Sequence, residues 1–177
     1  YIGFGSMVSG DMGELAEIIR QAVKLSGVRA VVALGWGQQE AKTKDANIFY
    51  VKSVPHDWLF PHMAGAVHHG GAGTTATSLR HALPTLVVPF GGDQPFWAER
   101  VYAAGCGPKA IPRDKLTAEN LAEGLRALIS NPEYTRNAAC IGEALRNEHG
   151  CANAADLIEK AVWDWENGNP AQDGMNI

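Results

Sequence analysis

At 177 residues, 46% hydrophobic and 19% charged, the chain has the makings of one globular domain with a sizeable core. Its 15 basic and 19 acidic residues leave a formal net charge of −4, so no basic field advertises nucleic acid or acidic lipid. No apolar run approaches the ~18 residues of a membrane span, and the three cysteines (Cys106, Cys140, Cys151) lack metal-ligand spacing, which fits buried or incidental thiols in a reducing compartment.

Residues 1–4 (Tyr1-Ile2-Gly3-Phe4) already read as an apolar strand, so we expect a piece of a longer protein whose N-terminal part precedes it. Gly5-Ser6 turns out of that strand. A helix follows over residues 12–25, with Leu15, Ile18, Ile19 and Ala22 on one face, and Ser26-Gly27 stops it. The β-branched run 28–34 is a second buried strand, closed by Gly35-Trp36-Gly37, and 38–47 is a polar loop. Residues 48–51 form a third strand, and 54–61 a loop with one helical turn. The apolar run 64–67 is a fourth strand. It leads into His68-His69-Gly70-Gly71-Ala72-Gly73-Thr74-Thr75, and a helix leaves over 76–82. Leu83-Pro84 breaks that helix. Residues 85–88 are a fifth strand, 89–95 a loop, 96–104 a helix ended by Gly105, and 110–111 a short last strand. Helices over 117–129, 133–148 and 152–165 follow. Residues 1–166 thus read as one domain and 167–177 as a polar tail.

Strands alternate with helices, and the strands are continuous apolar runs. This predicts an α/β fold, a Rossmann-like parallel sheet with helices on both faces. In such sheets ligands bind at the carboxyl ends of strands, near the topological switch point. The loops 3–6, 54–58, 69–75 and 91–94 all follow strands and would gather at that edge.

The glycine-rich loop is the centre of the prediction. Glycine permits tight turns and close backbone approach. A helix that starts there offers unpaired N–H groups and a positive dipole end, which together suit a diphosphate. Thr74 and Thr75 add hydroxyl donors, and His69 is the donor expected on a phosphate. Gly71-Ala72-Gly73-Thr74-Thr75-Ala76 also fits a dinucleotide fingerprint, with Asp93 about 20 positions on, so an NAD(P)-binding domain of an oxidoreductase stays open on the residues alone. So does a tight turn that merely packs helix on sheet. Neighbours in a strand point opposite ways, so His68 is expected as a satisfied core histidine. Asp93 and Gln94, held between Gly91-Gly92 and Pro95, suit sugar hydroxyls, or Asp93 is simply a helix N-cap. Trp58 and Phe60 read as core, and Trp36 either lines the pocket mouth or packs. There is no Gly-x-Ser-x-Gly elbow, Walker lysine or Asp-x-Asp motif, so no metal ligand is assigned.

The span 54–107 resembles the nucleotide-sugar signature of UDP-dependent glycosyltransferases of the GT-B fold, and most of all the sterol 3-beta-glucosyltransferases. The blocks that carry the resemblance are Val54-Pro55-His56-Asp57-Trp58-Leu59-Phe60-Pro61, His68 to Thr75, Pro89-Phe90-Gly91-Gly92-Asp93-Gln94-Pro95-Phe96-Trp97 and Glu99-Arg100-Val101. Tyr1 to Ser6 resembles the first strand and turn of the same C-terminal half. The resemblance implies donor-binding roles: the Val54 backbone and His56 for uracil and ribose; Ser6, His69, Ala72, Gly73 and Thr74 for the diphosphate; Asp93 and Gln94 for glucose hydroxyls. No tryptophan stands near residues 51–53, where plant relatives stack uracil, and Ala72 stands where a serine is frequent. No catalytic residue is expected in this chain, since the family's base and acceptor pocket lie in the N-terminal domain. The resemblance further implies UDP-glucose as donor substrate without a cofactor, a sterol or similar lipophilic acceptor, inversion without a metal, and a cytoplasmic enzyme, free or peripheral to membranes. An antibiotic or macrolide-type glycosyltransferase using another nucleotide sugar is the alternative within the same fold.

Overall fold

The computed structural model describes residues 1–5, 12–33 and 45–168. The chain divides into two compact units, Tyr1–Leu145 and Arg146–Ile177. The division falls where the helix Pro132–Arg146 ends, shortly before His149 adopts a left-handed φ of 49°.

In the first unit the elements are β1 (Ile2–Gly3), α1 (Met12–Ser26), β2 (Ala30–Ala33), β3 (Ile48–Val51), α2 (His56–Leu59), β4 (Ala66–His68), α3 (Ala72–Arg80), β5 (Thr85–Val87), α4 (Gln94–Ala103), α5 (Ala118–Ser130) and α6 (Pro132–Arg146). Short 3-10 turns cover Phe60–His62 and Arg113–Lys115. The second unit holds α7 (Gly150–Glu166), on which Leu157, Ile158, Val162, Trp163 and Trp165 are exposed. No helix among the described residues is long and apolar enough to cross a membrane.

The sheet has five parallel strands in the order β3-β2-β1-β4-β5, as the alternating pattern predicted. Ile2 pairs with Val32 on one side and Val67 on the other, and Gly3 with Ala33 and His68. Residues 110–111 do not form the expected last strand. Ile111 N–H donates to the Val87 carbonyl at 3.1 Å and Arg113 N–H to that of Pro89 at 3.1 Å, two isolated bonds along the edge of β5.

Helical spacing on α1 and α5 builds one face of the core. Leu15, Ile19 and Val23 meet Leu121, Leu125 and Leu128 over the side chains of Ile2, Val32, Val67 and Leu86. The helix α5 starts cleanly because Thr117 and Asn120 cap each other reciprocally, at 2.9 and 3.2 Å. The intervening strand residues point the other way: Val87 joins Ala98, Val101, Cys106 and Ala138, while Ala66 joins Leu59, Phe60 and Leu83.

His68, like Thr85, is a polar member of that second face. It is completely buried, and burial pushes its pKa down to about 3. The Gly70 N–H donates to its Nδ1 at 3.0 Å, so the neutral ring carries its proton on Nε2. It is a core histidine as expected, but only half satisfied: the buried Nε2 has no hydrogen-bond partner among the described residues.

Two outcomes are expected. Leu121 is fully buried, so Leu121→Ala should cost about 3 kcal/mol in urea unfolding with the m value retained. For His68 the sign follows from its folded pKa of about 3 lying below the ordinary 6.5: between those values the unfolded chain binds a proton that the native chain refuses. Its contribution is full above pH 6.5 and is lost on acidification, by about 1.4 kcal/mol per pH unit. Unfolding curves from pH 7 to 4 should be steeper in pH for the native chain than for His68→Asn; parallel pH slopes would contradict this.

Candidate functional site

The strand order reverses direction at β1 and β4, which opens a crevice between their carboxyl ends. Gly5 follows β1 and His69 follows β4. The two loops meet there: a Cβ placed on Gly5 would lie 3.3 Å from His69 Cε1. A Cβ on Gly71 would lie 2.6 Å from His69 Nε2. The imidazole thus lies close against two glycines, half-buried, with Nδ1 buried and unpartnered among the described residues. Burial lowers its pKa, and the Asp93 carboxylate pulls the other way, so Asp93 lies within electrostatic reach of the ring.

The next turn supplies N–H groups. Gly71 occupies the N-cap of α3 in an extended conformation, with no side chain capping the helix. The first turn, Ala72, Gly73 and Thr74, therefore presents its N–H groups and the positive dipole end uncapped. Ala72 and Gly73 are exposed, and a Cβ on Gly73 would meet nothing within 4 Å. The helix starts four residues before the predicted residue 76, and this changes one role. Thr75 is buried and its hydroxyl donates to the Gly71 carbonyl at 3.0 Å, so it supports the turn; Thr74 is half-buried at the helix start.

The loop after β5 arrives beside this turn. Asp93 sits at the N-cap of α4 but in helical geometry, φ −81° and ψ −6°, and its carboxylate makes no capping bond. It accepts instead from Trp97 Nε1 at 2.8 Å. Gln94 departs from expectation. It is buried, and its amide oxygen accepts from the N–H groups of Phe90 at 2.7 Å and Gly91 at 3.2 Å. That oxygen holds the loop together, because the turn through Gly91 and Gly92 leaves these donors pointing inward, and it is not presented to a sugar.

The base-site candidates form a separate group. The His56 ring stacks on Phe60 (centroids 4.5 Å apart, 13° between planes), lies edge-on to Tyr1, and places Nε2 3.0 Å from the Tyr1 hydroxyl. Burial lowers its pKa against the opposing Asp57 carboxylate. The structure therefore builds His56 into an aromatic cluster, on which Val54 packs half-buried. Phe60 is core as predicted. Trp58 is not: it is 65% exposed, because the four-residue α2 offers too short a buried face to cover it. Ser6 and Trp36 lie outside the described residues. Sequence reasoning missed the Trp97–Asp93 bond, although the i, i+4 spacing was there to be read. It also missed that Gly5 closes on His69, which only the strand order reveals.

A cavity of about 770 Å³ opens at the opposite edge of the sheet, where Ala30, Ile48 and Gly65 begin or precede their strands. The convergent donors of α3, His69 and Asp93 are not among its lining residues, so it is not the site.

Comparison with known proteins follows this geometry. Residues 17–159 match the family described as erythromycin biosynthesis protein CIII-like, C-terminal domain. The chain is 43% identical over 162 residues to the sterol 3-beta-glucosyltransferase UGT80B1 of Arabidopsis thaliana, a stretch that covers 90% of this chain and 26% of that protein. It therefore spans about a quarter of that relative's length. Among solved structures, the calicheamicin glycosyltransferase CalG4 superimposes with a TM-score of 0.77 at 20% identity, over 91% of this chain and 42% of that one. The glycosyltransferase VinC in complex with DTDP does so with a TM-score of 0.72 at 24% identity, over 90% and 41%. With a family match over most of its length and the parallel sheet of these neighbours, the chain belongs to the erythromycin biosynthesis protein CIII-like C-terminal domains and has the fold of the C-terminal half of GT-B glycosyltransferases.

Proposed function

We propose that the chain is the UDP-sugar-binding half of a glycosyltransferase that transfers glucose from UDP-glucose to the hydroxyl of a sterol or similar lipophilic acceptor, with inversion. The observation that carries the reading is the uncapped start of α3 at the switch point, with His69 beside it, packed against Gly5 and Gly71. In this reading the diphosphate lies over the N–H groups of Ala72, Gly73 and Thr74 and takes a further hydrogen bond from His69. Gly73 admits the phosphate because no side chain intervenes. Asp93 accepts from the sugar hydroxyls. Uracil and ribose lie toward Val54.

The acceptor hydroxyl, deprotonated in another part of the full-length protein, attacks the anomeric carbon from the face opposite the leaving group. The C–O bond to the β-phosphate breaks, and negative charge grows on the departing UDP. The helix dipole and His69 face that charge where it develops and call on no metal. The named activity of the Arabidopsis relative, at 43% identity over this stretch, supports glucose and a sterol. The complex of VinC with DTDP supports a nucleoside diphosphate as the kind of ligand bound. The dinucleotide oxidoreductase alternative is not favoured, since family and structural neighbours are glycosyltransferases. We place the full-length enzyme in the cytoplasm, free or peripheral to membranes; the cysteines Cys106, Cys140 and Cys151, all unpaired, suit a reducing compartment.

Calorimetric titration of the chain with UDP, UDP-glucose and dTDP tests the reading. UDP and UDP-glucose should bind, dTDP more weakly, and His69→Ala should lose about 1–3 kcal/mol of that binding. Tight NADH binding that UDP does not displace would overturn it.

A further inference from the structure

The Asp93 carboxylate stands where a helix cap would normally be, and the local sequence denies it that role. The next position but one is Pro95, which has no N–H to give. The N–H groups of Phe96 and Trp97 both donate to the backbone carbonyl of Asp93, at 3.1 and 3.3 Å. With its backbone in the helical region, the side chain does not reach back over the first turn. One carboxylate oxygen, Oδ2, is held instead by the indole N–H of Trp97 at 2.8 Å. The indole is itself held: the Phe96 ring meets it edge-on (5.2 Å, 80°), and the Arg100 guanidinium sits 5.2 Å from the Phe96 centroid. Asp93 is exposed while Trp97 is half-buried, so an anchored donor holds one oxygen of an exposed carboxylate at the site edge.

We propose that Trp97 is a positioning residue for sugar recognition: its indole N–H fixes Asp93 Oδ2 so that Oδ1 is presented to the hydroxyls of the donor sugar. This rests on the donor-site reading above and adds to it a residue that does not itself touch the ligand. An unanchored aspartate on a helix start samples several rotamers, and each bond to a sugar hydroxyl would then carry the entropy of ordering it. A tethered carboxylate has already lost that freedom. The effect should therefore appear with the sugar and be absent with the nucleotide alone.

The test compares Trp97→Phe, which keeps a ring and loses the donor, with Trp97→Gln, which loses the ring and restores an amide donor four residues from the carboxylate. Each is titrated with UDP and UDP-glucose by calorimetry, in the native and the Asp93→Ala background. Trp97→Phe should weaken UDP-glucose about five- to tenfold, as loss of preorganisation at a charge-assisted contact would, and leave UDP within about twofold. Trp97→Gln should recover most of the loss. On Asp93→Ala, which leaves the indole no acceptor, Trp97→Phe should add nothing, the signature of two residues acting as one unit. Equal losses for UDP and UDP-glucose, no rescue by Gln, or additive losses would each overturn the proposal by making Trp97 a packing residue. Failure of the native chain to bind either ligand would instead take down the donor-site reading, and this inference with it.

Discussion

The turn at Gly70 tolerates no side chain, and the site is arranged around that fact. Its φ is 91°, in the region that favours glycine, and a Cβ there would lie 2.6 Å from Val87 Cγ1 and 3.2 Å from the Gln94 carbonyl oxygen. The chain therefore leaves β4 flush against β5 and the start of α4. His68 fastens the turn from beneath by accepting the Gly70 N–H. This places His69 beside Gly5 and lets α3 begin two residues later. The buried Nε2 of His68 is the cost of using an imidazole where the fold needed an acceptor.

Most of the polarity at this edge comes from oriented groups, not from formal charge. The helix start contributes partial positive charge, and His69 is held toward its neutral form by burial. The fixed anion nearby is Asp93, tied to an indole and not to an arginine or lysine. Gln94, whose neighbours in sequence would have made it a ligand contact, works from inside by collecting the N–H groups of Phe90 and Gly91. The two residues of one dipeptide thus serve different ends: one shapes the loop, the other faces outward from it.

Much of this was legible in the sequence because it is periodic. The parallel sheet, the limits of β3 and the apolar faces of α1 and α5 follow from spacing alone. Sequence places the start of α3 late because Gly73, Thr74 and Thr75 have poor helix propensity; the helix holds there because Thr75 ties back to Gly71 through both N–H and hydroxyl. Hydrophobicity assigns Trp58 to the core but says nothing about which side of a single helical turn meets the protein. The inward Gln94 could not be read at all, since the same dipeptide serves a ligand or a loop depending on which way a glycine turn faces. His56 illustrates the limit of resemblance: a motif assigns a residue a role, and local packing, here against Phe60 and Tyr1, decides how its ring is held.

The first strand contributes only Ile2 and Gly3, yet it occupies the middle of the sheet. Its hydrogen bonds run to β2 on one side and to β4 on the other, and among the described residues no other strand joins those two pairs. Without it the sheet would part into two ribbons, β3 with β2 and β4 with β5. The switch-point crevice is the seam between those ribbons. A few residues therefore act as the keystone of both architecture and site, and the chain cannot assemble the crevice locally, because its two walls meet only after some 65 residues of intervening chain, from Ile2 to Val67, have been brought into register.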